Sequence, residues 1–170
     1  FLYFPLPVPH GFGGGSEFHH DLKLSPEGYL DEVPSSQPPI EDVYKRIREN
    51  GYSDRSVTFT WIDDCLGAVM NKLQEQGLEE NTILIFTSDH QSRGKFSCYE
   101  GAHVAFMLKW PGVVDPETKI DGLWANIDIM PTLLDIAGQP ISTELNGTSM
   151  LPVLNGSQKP NPDRAILLET

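Results

Sequence analysis

Residues 83–104, ILIFTSDHQSRGKFSCYEGAHV, contain the stretch that decides the fold class. The run from Thr82 to Phe86 is almost entirely apolar and partly β-branched, a composition typical of a central strand of a parallel sheet covered on both faces. One helical pattern precedes this run and another follows it. Strands that alternate with helices predict an α/β protein with a mainly parallel sheet flanked by helices.

The other elements follow from periodicity and from the positions of Pro and Gly. In the helix predicted at 56–76, apolar residues recur on one face at spacings of 4, 3 and 4: Ile62, Leu66, Val69 and Leu73. We expect Asp54 or Ser56 to cap the start of this helix and Gly77 to end it. The remaining predictions are strands at 1–4, 105–112 and 165–170, helices at 41–50 and 125–138, and a long loop at 9–40.

The composition is that of a globular protein about the size of one domain. The chain has 170 residues, of which 39% are hydrophobic and 21% charged, and its formal net charge is −12. This charge argues against nucleic acid or an anionic membrane as a general partner, and no apolar run is long enough to predict a transmembrane helix. Two sequons, at Asn146 and Asn155, predict glycosylation of a secreted or lysosomal protein.

Three polar residues follow the strand at 82–86. Ligands of open α/β sheets bind at the carboxyl ends of strands, where Asp89 and His90 are expected to lie. A carboxylate and a neutral imidazole can ligate a divalent cation, and Lys95 could bind an anion beside it. Alternatively, the Asp-His pair caps a turn and Lys95 is a solvated loop residue.

Five segments in order resemble the type I sulfatases. The stretch NTILIFTSDHQSRGKFSCYEGAHVAFMLKWPG is similar to that family's NTLVIFTSDHG followed by GK, YEGG, RVP and RWPG. The segments FLYFPLPVPHGF, NKLQEQGLEENTILIF, IDIMPTLLDIAGQP and LNGTSMLPVLNG are similar to PFFLYLSFQAPH, LEELGLADNTLVIF, DIMPTLLDLAG and DGVSLLPLLKG. The resemblance implies an alkaline-phosphatase-like fold, with residues 1–170 forming an incomplete part of one catalytic domain.

In that family a cysteine in a C-x-P-x-R motif is oxidised to formylglycine, whose hydrate attacks the sulfur of a sulfate ester. The resemblance implies that Asp89 and His90 are ligands of a Ca²⁺ ion and that Lys95 contacts the sulfate. It also implies that His10 hydrogen-bonds the sulfate or protonates the leaving oxygen. His103 could contact the substrate, a sulfated small molecule or carbohydrate, or could be a buried histidine. A cation and a lysine would stabilise the negative charge that spreads over the sulfate oxygens.

The sequence departs from the family pattern at several positions. It contains no C-x-P-x-R motif, and neither Cys65 nor Cys98 stands in one. The Asp-Asp metal pair found near the amino terminus of the family is absent, and Gln91 replaces a common glycine. We therefore expect a fragment of a larger sulfatase, because both ends of the sequence fall within predicted strands. The alternatives are a phosphodiesterase or phosphatase of the same superfamily and a non-catalytic secreted protein on a decayed sulfatase fold.

Overall fold

A computed structural model describes residues 1–6, 8–9, 21, 23–25, 28–33, 37–91 and 99–167. The chain divides into two compact units, Phe1–Glu79 and Glu80–Thr170. The strands are β1 Leu24–Ser25, β2 Gly28–Tyr29, β3 Leu84–Thr87 and β4 Phe106–Lys109. The α-helices are α1 Ile40–Glu49, α2 Val57–Glu75, α3 Tyr99–Ala102, α4 Ile129–Ile136 and α5 Leu151–Leu154. Short 3₁₀ turns cover Asp54–Ser56, Glu79–Asn81 and Asn126–Asp128.

The first unit is built on the packing of α1 against α2. Acidic residues in the first turn of α1 and arginines in its last turn complement the helix dipole. Its apolar side chains at i, i+3 and i+7 form one buried stripe that packs onto the first turns of α2. The resulting core consists of Val8, Ile40, Val43, Ile47, Val57, Trp61 and Cys65.

The predictions of both helices are confirmed, whereas two details of α2 differ. Ser56 stands at the predicted N-cap position but its side chain makes no capping hydrogen bond, and the Asp54 carboxylate instead binds the Arg48 guanidinium at 2.8 and 2.6 Å. Gly77 adopts φ +65° just beyond the helix, in the left-handed region that suits glycine. The predicted apolar face is only half-buried, because α1 covers a neighbouring face: Val57, Thr58, Trp61 and Cys65.

The strand predicted at residues 1–4 is wrong for this structure. All four side chains are more than half exposed, and within the described residues they pair with no other strand. Residues 165–167, the described part of the last predicted strand, are likewise outside any strand. An apolar run forms a strand only where a neighbouring backbone supplies hydrogen bonds, which composition does not reveal. The predicted loop at 9–40 contains the small antiparallel pair β1–β2.

The second unit contains the strand pair that carries the candidate site. β3 and β4 are antiparallel, with Leu84 opposite Lys109 and Thr87 opposite Phe106. Parallel pairing was predicted for the strand at 82–86. A parallel partner requires a crossover, usually through a long helix, and the described part of residues 88–105 contains only the one-turn α3. β4 therefore begins beside the carboxyl end of β3, and the two strands run in opposite directions.

A buried polar cluster forms the interior of the second unit. The Asp128 carboxylate is fully buried and accepts hydrogen bonds from the backbone N–H groups of Ala125 and Thr148, both at 2.8 Å. It also accepts a hydrogen bond from the Arg164 guanidinium at 2.6 Å, and Arg164 lies over the Trp124 ring at 5.3 Å. Opposite charge and three donors together satisfy the buried carboxylate. This cluster fixes the turn Asn126–Asp128 at the start of α4.

Candidate metal and substrate site

The sequence places Asp89 and His90 immediately after β3, and the structure brings their side chains together. Asp89 Oδ2 lies 3.2 Å from His90 Nε2. The carboxylate is 84% exposed, whereas the imidazole is 27% exposed. An open carboxylate next to a partly enclosed ring can accept a ligand from solvent without the desolvation cost of a buried charge. The predicted ligand pair is thus accessible at the end of the strand.

The second ring nitrogen determines what the first can do. His90 Nδ1 lies 2.8 Å from the backbone carbonyl of Gln91. Because a carbonyl only accepts hydrogen bonds, Nδ1 must carry a proton. In a neutral ring, Nε2 then presents its lone pair to the Asp89 carboxylate. Two arrangements satisfy both contacts: a doubly protonated ring that donates to Asp89, or a neutral ring whose Nε2 ligates the same cation as Asp89.

The spacing of the two atoms is compatible with both arrangements, because 3.2 Å is also the length of an ordinary N–H···O contact. Two ligand atoms at right angles around a cation, each with a bond of about 2.3 Å, lie about 3.3 Å apart. The separation of Asp89 Oδ2 from His90 Nε2 is 3.2 Å. A carbonyl that fixes the ring tautomer is also the usual outer partner of a metal-bound histidine. The pair could supply at most two ligands, and the described residues contain no group of three His, Cys, Asp or Glu that could hold a metal ion.

Asn126 holds the backbone just before the pair. Its Nδ2 donates to the Ser88 carbonyl at 2.8 Å, and its Oδ1 accepts from the Thr87 hydroxyl at 3.0 Å. These bonds join the end of β3 to the turn Asn126–Asp128, which is fixed by the buried Asp128 carboxylate. The local sequence does not reveal this role of Asn126, since a lone asparagine at a helix entrance is ordinarily a local cap.

Gln91 holds the backbone just after the pair. Its N–H donates to the Gly101 carbonyl at 3.0 Å, and its side-chain amide donates to the His103 carbonyl. Gln91 itself is therefore tied to the end of α3 and to the residue beyond it. In the sequence, Gln91 stands out only as a departure from the family pattern, and that departure is the available signal.

Two predicted site residues, His10 and Lys95, lie outside the described residues, as does Cys98. His103 is exposed, so the alternative of a buried histidine is wrong, and its predicted contact with substrate stays a prediction. The two sequon asparagines, Asn146 and Asn155, are both exposed.

Cys65 is a structural residue of the first unit. It is a free, buried thiol, and the Gln37 side-chain amide lies 2.9 Å from its sulfur. Burial raises the pKa of the Cys65 thiol, and the hydrogen bond from Gln37 opposes this shift to a smaller extent. A protonated thiol is a poor nucleophile, so this buried cysteine lacks the character of a reactive one.

Comparison with known proteins identifies the family. The profile described as Sulfatase matches residues 1–139. Arylsulfatase K of Canis lupus familiaris is 36% identical over 190 residues, an alignment that covers 89% of this chain and 35% of that protein. The chain thus spans about a third of that relative's length.

Two solved structures share the fold. One is a protein in complex with its substrate D-glucosamine-2-N,6-O-disulfate, with a TM-score of 0.59 and 27% identity over 65% of this chain and 24% of that chain. The other is a phosphonate monoester hydrolase from Silicibacter pomeroyi, with a TM-score of 0.58 and 28% identity over 83% of this chain and 28% of that chain. These neighbours confirm the predicted fold class, an incomplete α/β fold of the alkaline-phosphatase-like superfamily. This chain belongs to the sulfatase family.

Proposed function

We propose that the full-length protein hydrolyses sulfate esters and that this chain supplies part of its catalytic domain. Family membership and the similarity to arylsulfatase K support this activity. We assign both compact units to one catalytic domain, because the family match runs through residues 1–139 and so crosses the boundary after Glu79. The C-x-P-x-R cysteine that would become formylglycine is assigned to a part of the protein outside these 170 residues.

The observation that carries the proposal is the geometry of Asp89 and His90. Their 3.2 Å separation and the carbonyl that fixes His90 Nδ1 both suit a pair that shares one divalent cation. Family resemblance favours Ca²⁺, for which carboxylate oxygen is a preferred ligand, while an imidazole nitrogen also suits Zn²⁺. Such a cation, when bound, would stabilise negative charge on the sulfate oxygens.

The remaining roles rest on resemblance and residue chemistry. Lys95 would bind a sulfate oxygen as a compact positive charge. His10 would donate a proton to the leaving alcohol near neutral pH. His103, whose side chain is exposed and whose backbone carbonyl accepts a hydrogen bond from the Gln91 side chain, would contact the substrate beyond its sulfate.

The proposed substrate is a sulfated small molecule or carbohydrate. One structural neighbour is bound to a disulfated glucosamine, and an aminosugar sulfate is therefore the first class to test. The open Asp89 carboxylate is compatible with a substrate that approaches from solvent.

The test compares two substitutions of exposed aspartates in the full-length protein. We expect Asp89→Ala to lower kcat/KM for p-nitrocatechol sulfate by about 100-fold or more and to remove bound cation, because one direct ligand is lost. Asp115→Ala removes an exposed carboxylate from the same unit and should change neither quantity. Ca²⁺, Mn²⁺ and Zn²⁺ should be added back in parallel, and metal content measured by mass spectrometry. Undiminished turnover and cation content in Asp89→Ala would contradict the ligand assignment.

A second candidate function is hydrolysis of phosphonate or phosphate esters. The similarity to a phosphonate monoester hydrolase over 83% of this chain favours it. Turnover of a phenylphosphonate ester at a higher kcat/KM than that of the matching aryl sulfate would establish this alternative. Full-length protein that turns over neither ester and binds no cation would instead support the non-catalytic alternative.

We also propose that the protein is secreted or lysosomal and carries glycans at Asn146 and Asn155. Both side chains are exposed, as a glycan requires. No described helix is long and apolar enough to cross a membrane. Peptide mass spectrometry before and after glycosidase treatment of protein from the natural source would test both positions. An unmodified asparagine at both sequons would refute this assignment.

A further inference from the structure

The side chain of Asn126 uses both ends of its amide at the end of β3. Nδ2 donates to the Ser88 carbonyl at 2.8 Å, while Oδ1 accepts from the Thr87 hydroxyl at 3.0 Å. An amide combines a donor and an acceptor on one rigid plane, whereas a carboxylate can only accept. The two contacts therefore require asparagine at this position and not its isosteric acid.

The bond to Ser88 acts directly on the next residue. The Ser88 carbonyl belongs to the planar peptide group whose nitrogen is that of Asp89. Fixing the carbonyl orients this plane, so that only the Asp89 backbone dihedral and its side-chain rotations remain to place the carboxylate. Because Asp89 and His90 meet at 3.2 Å, a rotation of this plane would alter the separation of their side chains.

The turn that contains Asn126 is held by the buried Asp128 carboxylate. Asn126 is the first residue of the turn Asn126–Asp128, and the turn is closed by the bond from Ala125 N–H to the Asp128 carboxylate at 2.8 Å. Asp128 is fully buried and receives the Arg164 guanidinium at 2.6 Å. The support thus extends from a buried ion pair to the exposed end of the strand.

We infer that Asn126 is a positioning residue for the Asp89–His90 pair, which it orients through the Ser88 carbonyl. The inference rests on the proposed function for the claim that this pair binds a cation. Asn126 would touch neither the cation nor the substrate. Its removal should weaken cation binding about tenfold, at the low end of the effect of outer partners on metal sites.

The test uses Asn126→Asp in the full-length protein, with Asn161→Asp as the matched control. Both changes add one negative charge to the second unit. Asn161 Oδ1 accepts from the Asp163 N–H at 3.0 Å, a role that a carboxylate keeps, whereas Asn126→Asp loses its donor to Ser88. Ca²⁺ affinity is measured by calorimetry, and hydrogen–deuterium exchange is followed in the peptide that covers residues 84–91.

We expect Asn126→Asp to weaken Ca²⁺ binding about tenfold and to speed exchange in the 84–91 peptide, with Asn161→Asp unchanged in both. The added charge alone would strengthen cation binding, so weaker binding reports lost geometry. A lower melting temperature with unchanged Ca²⁺ affinity would show a merely structural role and overturn the inference. Unchanged exchange in the 84–91 peptide would overturn it as well.

Failure of the proposed function gives a different result. Wild-type protein that binds no divalent cation would refute the ligand pair, and the exchange measurement would still decide whether Asn126 holds the segment.

If Asn126→Asp does not fold, Thr87→Val keeps the strand propensity and the amide bond to Ser88 but removes the hydroxyl. This variant should change affinity and exchange in the same direction by about threefold. No change in either quantity would overturn the inference.

Discussion

Removal of the buried carboxylate of Asp128 provides a sharp test of the interior of the second unit. Asp128 is fully buried, and its two oxygens accept three hydrogen bonds at 2.6 to 2.8 Å. Asp128→Ala would leave the Arg164 guanidinium, whose side chain is only 14% exposed, without its counter-charge. It would also leave two backbone N–H groups, those of Ala125 and Thr148, without their acceptor.

The size of the effect follows from these losses. Removing one partner of a buried ion pair costs about 3–5 kcal/mol, and an orphaned buried donor costs about 1–3 kcal/mol, part of which is the same desolvation. We therefore expect Asp128→Ala to lower the free energy of unfolding by about 4 kcal/mol, roughly a thousandfold shift toward the unfolded state. Urea denaturation of the full-length protein measures this change.

The control is Asp121→Ala, which removes an exposed carboxylate from the same unit and should change stability by less than about 0.5 kcal/mol. A double-mutant cycle with Arg164→Ala isolates the ion pair. We expect the second substitution to cost less in the Asp128→Ala background, with a coupling of about 1–3 kcal/mol. A loss below about 1 kcal/mol for Asp128→Ala, or additive effects in the cycle, would refute the reasoning.

Three further predictions concern two glycines and a cysteine. Gly147→Ala should destabilise the protein by about 1–3 kcal/mol, because a Cβ at this position would overlap the Ile127 backbone carbonyl. A free energy of unfolding equal to that of wild type in urea denaturation would contradict this contact. Gly67→Ala should stabilise the protein by about 0.5–1 kcal/mol, since no atom lies within 4 Å of the added Cβ and alanine is the better helix former. A lower free energy of unfolding would show that the methyl group meets a steric clash. Cys65 should react with iodoacetamide at pH 8 at least about tenfold more slowly in native protein than in urea, because burial raises the pKa of its thiol. Equal rates of alkylation in the native and urea-unfolded protein, measured by peptide mass spectrometry, would argue against that burial.

The candidate site could be predicted only in part. Asp89 and His90 follow an apolar run, and local pattern alone placed them at a strand end, where the structure brings their side chains within 3.2 Å. Their supports were not predicted. The bond from Asn126 to Ser88 joins residues 38 positions apart, and no local periodicity relates them. Gln91 was visible only as a departure from a family pattern, without its partner at His103.

The secondary structure and the buried contacts also divide into features that local sequence predicts and features that it does not. Local sequence patterns suffice to predict the two long helices, the glycine that follows α2 and the two strands of the site, because these depend on residues close together in the chain. Five similar segments along the chain likewise suffice for the sulfatase family. The antiparallel pairing of β3 with β4 and the lack of a strand at residues 1–4 become apparent only in the folded protein. The same holds for the burial of Asp128 against Arg164, 36 positions away. Strand pairing and charge burial depend on which distant segment supplies the partner, and only the folded chain brings that segment into contact.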